Sequence, residues 1–197
     1  KCNPSIEILR ALHDAGSGFE VASLGELDLL RSIGVRPEDV LHSNPVKPAA
    51  HIAACHDAGM WQYVFDGVGE LRKLAEHAPG SAVLVRLRVD DSTSIFPLSR
   101  KFGVAEPEAR ALLLHARELG LRPYGVTFHV GSQCMSAGAW RQAIASAGRL
   151  MKKLQRDGIV LEMLNLSGGF PARYVDPVPS LGEIMGSIVP ALTAFLP

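Results

Sequence analysis

Cysteine is scarce in this sequence. Cys2, Cys55 and Cys134 are the only three among 197 residues, with no CxxC spacing. Neither a disulfide framework nor a zinc cluster is expected, and a reducing cytoplasm is the default compartment. Net charge is also lacking, because 20 basic and 20 acidic residues cancel. That leaves no electrostatic case for a nucleic-acid partner or an anionic membrane. The longest apolar runs are of strand length, far short of a membrane span. The seven histidines are scattered and no HExxH occurs. His51 and His56 stand five apart, poor spacing for one helical face, so no metal site is expected. No GxGxxG follows the first strand-like run, which removes the positive signal for a dinucleotide fold. No methionine or leader opens the chain; it begins Lys1-Cys2-Asn3. A piece cut from a longer protein is the expectation.

What the chain does have is a hydrophobic content of 47%. That suits one globular domain over residues 1–197 with a sizeable core. Strand-like runs at 18–22, 40–42, 62–65, 82–89, 125–130 and 163–166 alternate with helical patterns. The helical patterns cover 5–15, 24–32, 48–58, 68–77, 106–119, 137–156 and 181–195. Ser23 is placed to cap the second helix, with Glu26 at the capping-box position. Gly34, Gly59, Gly120 and Gly158 follow helices, where a left-handed residue is common. Pro37, Pro48, Pro107 and Pro123 fall at boundaries.

Strict βα alternation implies a parallel sheet with crossover helices. An open doubly wound sheet and a (β/α)8 TIM-type barrel both satisfy it. A complete barrel takes ~250 residues. An initial helix also implies a strand before Lys1. A barrel truncated at its edges is therefore the expected form.

The most informative stretch runs from Tyr124 to Cys134. Its first half is an apolar strand pattern, His129 sits where that pattern ends, and Gly131-Ser132 follow as a turn. A titratable residue at the end of a buried strand is a common place for an active site in such folds. His129 stacks on a planar cofactor or is a satisfied structural histidine. Ser132 bonds a phosphate or caps a helix. Glu20, inside Gly-Phe-Glu-Val-Ala-Ser, needs a partner. It faces the site or pairs with a neighbouring strand. Arg86 and Arg88, two apart on one side of a strand, need acceptors. Those are a cofactor oxygen, the acids Asp90 and Asp91, or a salt bridge near the strand end. Ser167-Gly168-Gly169 lets backbone N–H groups approach an anion, or is an ordinary turn. Lys1, at the end of a lost strand, is a Schiff-base amine or a solvated charge.

Seven motifs in one order carry a resemblance. They are Lys1-Cys-Asn, Gly18-Phe-Glu-Val-Ala-Ser, Asn44-Pro-Val-Lys-Pro, Arg86 with Asp90-Asp91-Ser92, Leu98-Ser-Arg-Lys-Phe-Gly103, Phe128-His-Val-Gly-Ser132 and Ser167-Gly-Gly-Phe-Pro171. Together they resemble the barrel domain of the alanine-racemase-type, fold-type III pyridoxal-phosphate (PLP) decarboxylases. Within that group the chain is most similar to the eukaryotic-type ornithine decarboxylases.

The resemblance implies a PLP-dependent decarboxylase of a basic amino acid, with ornithine converted to putrescine for polyamine synthesis. Lys1 would form the Schiff base with PLP. His129 would stack on the pyridine ring, and Arg86 would sit near its ring oxygen. Ser132, Gly168 and Gly169 would bind the phosphate. Glu20 would be the acid beside lysine and cofactor, where the family more often has Asp. Ser167 replaces the first glycine of the usual triple. The family's second domain, a β-barrel, has no match here. Its active site is completed across a homodimer, so this fragment alone is expected to be inactive. The alternatives are a decarboxylase for lysine, diaminopimelate or another amino acid, or an inactive regulatory homologue.

Overall fold

The computed structural model describes residues 3–197. The chain divides into two compact units, Lys1–Leu84 with His115–Arg122, and Val85–Leu114 with Pro123–Pro197.

In the first unit the elements run α1 (Ile6–Asp14), β1 (Phe19–Val21), α2 (Leu24–Arg31), β2 (Val40–His42), α3 (Ala49–Asp57), β3 (Gln62–Phe65) and α4 (Val68–His77). They lead into β4 (Ala82–Leu87). The strand order here is β1-β2-β3-β4, in sequence order. Glu20 pairs in parallel with Leu41, and Leu41 in turn with Gln62. A helix lies between successive strands, as parallel pairing requires. Val40, Leu41, Tyr63, Val64 and Phe65 are all buried. Strands covered on both faces read as continuous apolar runs, which is why the sequence exposed them. Ser23 caps α2 as expected, its Oγ accepting from the Glu26 N–H at 3.3 Å. The Glu26 carboxylate accepts from Ala22 N–H at 2.5 Å, one residue earlier than a standard capping box.

The second unit takes up the end of β4 and adds β5 (Ser94–Phe96), most of α5 (Glu106–Glu118), β6 (Arg122–Phe128), β7 (Ser132–Cys134), α6 (Gly138–Arg156), β8 (Met163–Asn165) and α7 (Leu181–Phe195). Its order is β4-β6-β8. Gly125, Val126 and Thr127 pair in parallel with Met163, Leu164 and Asn165. α6 packs on α7, burying Trp140, Ile144, Leu150 and Leu154 on one side and Ile184, Ile188 and Ala191 on the other. A capping box opens α7, with the Ser180 and Glu183 side chains each satisfying the other's backbone N–H.

Three features depart from the sequence reading. β4 stops at Leu87, not at 89, because the backbone beyond it bonds to a different segment. Arg88 N–H donates to Val104 O at 2.9 Å, and Val104 N–H to Arg86 O at 3.0 Å. β6 starts earlier and ends at Phe128, leaving His129 just beyond it and Pro123 inside it. A two-stranded antiparallel ribbon also forms, with Ser94 opposite Cys134 and Phe96 opposite Ser132. Among the described residues no helix is long and apolar enough to cross a membrane, and no group of His, Cys, Asp and Glu could hold a metal.

Candidate functional site

The second unit gathers Arg86, His129, Ser132, Gly168 and Gly169 at the C-terminal ends of β4, β6 and β8 and at the start of β7. His129 is half-buried, and its Nδ1 accepts from the Gly131 N–H at 3.1 Å. That bond makes Nδ1 the acceptor, so the neutral ring carries its proton on Nε2. Nε2 faces the loop after β8. A Cβ added at Gly168 would stand 2.9 Å from it. The ring edge thus fills the space a side chain at 168 would need.

Gly169 is glycine for a separate reason. Its φ is +113°, and a Cβ there would lie 2.6 Å from Val130 Cγ2 and 2.7 Å from Gly131 O. Its carbonyl accepts from the Cys134 N–H at 2.9 Å. Ser167 is left-handed as well, with φ +54°, and its N–H bonds the Asn165 side chain at 2.7 Å. Ser132 is not a helix cap, since it opens β7 and α6 begins only at Gly138. Among the described residues its hydroxyl makes no hydrogen bond, and the Gly168 and Gly169 N–H groups donate to nothing. One hydroxyl and two amides on adjacent segments therefore remain as donors for an oxyanion.

Arg86 lies near the end of β4 with its guanidinium carbon 4.8 Å from the centre of the Phe102 ring. This is a cation–π contact that fixes the side chain. The acids suggested as acceptors for the two arginines bond elsewhere. The buried Asp91 accepts from Leu98 N–H at 2.5 Å, Ser99 N–H at 2.7 Å and Ser99 Oγ at 2.8 Å. Asp90 accepts from Ser92 N–H at 3.0 Å. Arg88 instead donates to Gly103 O at 3.3 and 3.2 Å. Burial works against charge on Asp91, but the bonds from Ser99 and Leu98 win and hold its carboxyl below the ordinary value. Asp91 thereby ties down the segment that carries Phe102 against Arg86. Sequence reading noted the motif without this role, because its hydrogen-bond partners lie seven and eight residues on.

Glu20 belongs to the first unit, at the centre of β1, half-buried. It lines a cavity of about 150 Å³ with Asn3, Phe19, Glu26 and Leu29. Lys1, the proposed Schiff-base residue, lies outside the described residues. The motif Asn44-Pro-Val-Lys-Pro holds a charge that the sequence reading missed. Lys47 is 1% exposed, and its Nζ donates to Val64 O at 2.7 Å and Asn44 O at 2.9 Å. It also faces Glu70 Oε1 at 2.9 Å. A lysine within an apolar-flanked motif, with an acid 23 residues on, was the only available signal.

A family model described as pyridoxal-dependent decarboxylase, pyridoxal binding domain, matches residues 1–197. Lysine/ornithine decarboxylase of Selenomonas ruminantium is 40% identical over 171 residues, covering 87% of this chain and 44% of the relative. Antizyme inhibitor 2 of Xenopus laevis is 36% identical over 197 residues, 100% of this chain and 43% of the relative. Ornithine decarboxylase of Rattus norvegicus is 35% identical over 197 residues, 100% and 42%. The chain spans under half the length of these relatives. Among solved structures, lysine decarboxylase from Selenomonas ruminantium superposes with TM-score 0.91 at 36% identity, over 98% of this chain and 51% of that one. The structure of the same enzyme with PLP and cadaverine gives TM-score 0.90 at 36% identity, over 98% and 49%. Arginine decarboxylase of Paramecium bursaria Chlorella virus, bound to agmatine, gives TM-score 0.91 at 28% identity, over 98% and 52%. This chain belongs to the family of pyridoxal-dependent decarboxylases, within their pyridoxal-binding domain, and its fold is the α/β barrel class of that family.

Proposed function

We propose that this member of the pyridoxal-dependent decarboxylases is the cofactor-holding half of an enzyme that converts ornithine to putrescine and CO2. The observation that carries the proposal is the paired fit of His129 and Gly168. A flat imidazole edge is seated against a loop whose amides, with the Ser132 hydroxyl, are left as donors. A ring with a phosphate arm suits that combination. Ser132 Oγ and the Gly168 and Gly169 N–H groups would hold the phosphate, and the His129 ring would cover one face of the pyridine. Arg86, fixed by Phe102, would meet the ring oxygen. Lys1 would supply the amine for covalent attachment, and Glu20 the acid that serves it. Bound, PLP supplies an electron sink for the pair left on Cα when CO2 departs. These residues orient the scissile bond and keep charge where the reaction needs it. Ornithine is favoured by relatives named for it that match the whole chain. A second domain beyond these residues, a homodimer sharing its sites, and a place in the cytoplasm for polyamine synthesis complete the proposal.

A second reading has its own observation, a match of this whole chain to 43% of an antizyme inhibitor. An inactive regulator of that kind has no need of a phosphate site, and here Arg86, His129, Ser132 and both glycines are all retained. The test takes the full-length protein with PLP, reduces it with borohydride and maps the modified peptide. A phosphopyridoxyl group on Lys1 in the reduced sample, and CO2 release by the unreduced protein from ornithine in preference to lysine, arginine and diaminopimelate, are the expected outcome. A folded protein with no adduct would promote the regulatory reading.

A further inference from the structure

We propose that Gln133 is a positioning residue, a clamp that holds the loop after β8 in place to bind the cofactor phosphate. This deepens the reading above and rests on the phosphate site placed there at Ser132, Gly168 and Gly169.

Gln133 sits between Ser132 and Cys134 in β7, and its side-chain amide grips one backbone unit from both sides. Its Nε2 donates to Ala172 O at 2.9 Å, and its Oε1 accepts from the Ala172 N–H at 2.8 Å. The pair joins segments 39 residues apart. With the Cys134 N–H to Gly169 O bond at 2.9 Å, it brackets residues 169–172. The same stretch is otherwise held by the Phe170 ring, 5.0 Å from Trp140 centre to centre. Just beyond the clamp, Tyr174 and Val175 are each 84% exposed, so these next residues add no buried contact.

Gln133 has φ +55°, a conformation that non-glycine residues adopt only when their surroundings hold them there. The backbone twist turns the amide toward Ala172. The residue touches no phosphate donor itself. It acts by fixing the distance between two chain segments, one carrying the hydroxyl and the other the amides. An oxyanion site depends on that spacing, because its donors must converge before the ligand arrives.

The experiment measures binding of PLP and of pyridoxal, which lacks the phosphate, to the full-length protein and to Gln133→Gly and Gln133→Ala. Thermal unfolding of each is followed alongside. Glycine takes the positive φ freely and alanine only against its Cβ, so the two variants share only the loss of the amide. Wild type should prefer PLP strongly. Both variants should weaken PLP about tenfold and leave pyridoxal within about twofold, in the range seen when a ligand's supporting residues are removed. A wild type that binds both compounds equally would remove the phosphate site itself, and the clamp with it. A wild type that discriminates, beside variants that discriminate equally well, overturns the clamp alone. Loss confined to Gln133→Ala would assign the effect to backbone strain and also overturn it. So would equal loss for both compounds, which is the mark of general loosening.

Discussion

Nε2 of His129 occupies the place beside Gly168 where a side chain would begin, 2.9 Å from the position of a Cβ. Gly168 has no positive φ, so alanine is conformationally acceptable there and the methyl acts only on the ring. Gly168→Ala should push the imidazole off its seat and weaken PLP binding by roughly tenfold to a hundredfold, as small displacements in a site do. Thermal stability should change little, because the loop is exposed or half-buried. In a His129→Ala background the same change should have almost no further effect, since coupled neighbours are not additive. Equal losses in both backgrounds would show that the methyl acts elsewhere.

Asp91 organises the segment that presents Phe102 to Arg86. Replacing it with alanine removes three hydrogen bonds to a carboxylate. Bonds to charged groups are each worth about 1.5–3 kcal/mol, and a loss of about 3 kcal/mol is expected after relaxation. The carboxyl's value is depressed in the folded state. The stabilisation is therefore present above the unfolded value of roughly 3.9 and is lost as pH falls toward the folded one. Wild type should lose stability faster on acidification than Asp91→Asn, which has no proton to gain. Urea midpoints taken between neutral and acid pH give both slopes, and parallel curves would sink the argument.

The parallel strands were legible because burial on both faces leaves apolar runs such as Tyr63-Val-Phe65, bounded by Gly59 and Gly67. His129 was legible for the same reason, as a polar residue where one such run ends. The ribbon of β5 and β7 was not. Each strand has three residues, and Ile95 and Phe96 are 58% and 63% exposed, so no alternation marks them. Its pairing joins positions about forty apart with no hairpin turn between them. Lys47 was hidden by its own type, because an uncompensated lysine belongs at the surface. Only the fold brings Glu70 to it. The roles of Asp91 and Gln133 depend likewise on partners that no local pattern names.

Ser167 stands where the resemblance leads one to expect glycine, and its φ of +54° shows why glycine suits. The left-handed region costs an ordinary residue about 1–2 kcal/mol, while glycine forfeits roughly 0.5–1 kcal/mol of chain entropy on folding. Ser167→Gly should therefore be neutral or stabilising by up to about 1.5 kcal/mol, the difference between those terms. Ser167→Asn should be close to wild type, and Ser167→Val should lose about 1–2 kcal/mol because a β-branched side chain resists positive φ. Chemical denaturation of the four proteins gives the order directly. A valine variant as stable as wild type would mean that the loop relaxes to another conformation.

Lys47 and Glu70 form a buried pair in which each partner has a second anchor. Lys47 bonds two carbonyls, and Glu70 Oε2 meets Lys73 Nζ at 2.6 Å, while Lys73 also donates to Lys47 O. Removing one member leaves the other charge buried, so Glu70→Gln should destabilise by about 3–5 kcal/mol. The double change Lys47→Met with Glu70→Leu should recover most of that, because apolar packing can replace a buried pair. Burial pushes the Lys47 ammonium down from the ordinary 10.5 to about 8, against the pull of the Glu70 charge. Between those values the unfolded chain holds a proton that the folded chain has released. Stability should then rise with pH across that window and owe nothing to this group below it. The comparison is between wild type and Lys47→Met, with urea midpoints followed from neutral to alkaline pH. The excess upward slope should belong to wild type alone. A wild-type curve that falls relative to Lys47→Met above about pH 8 would mean that the ion pair, and not the desolvated amine, dominates at this site.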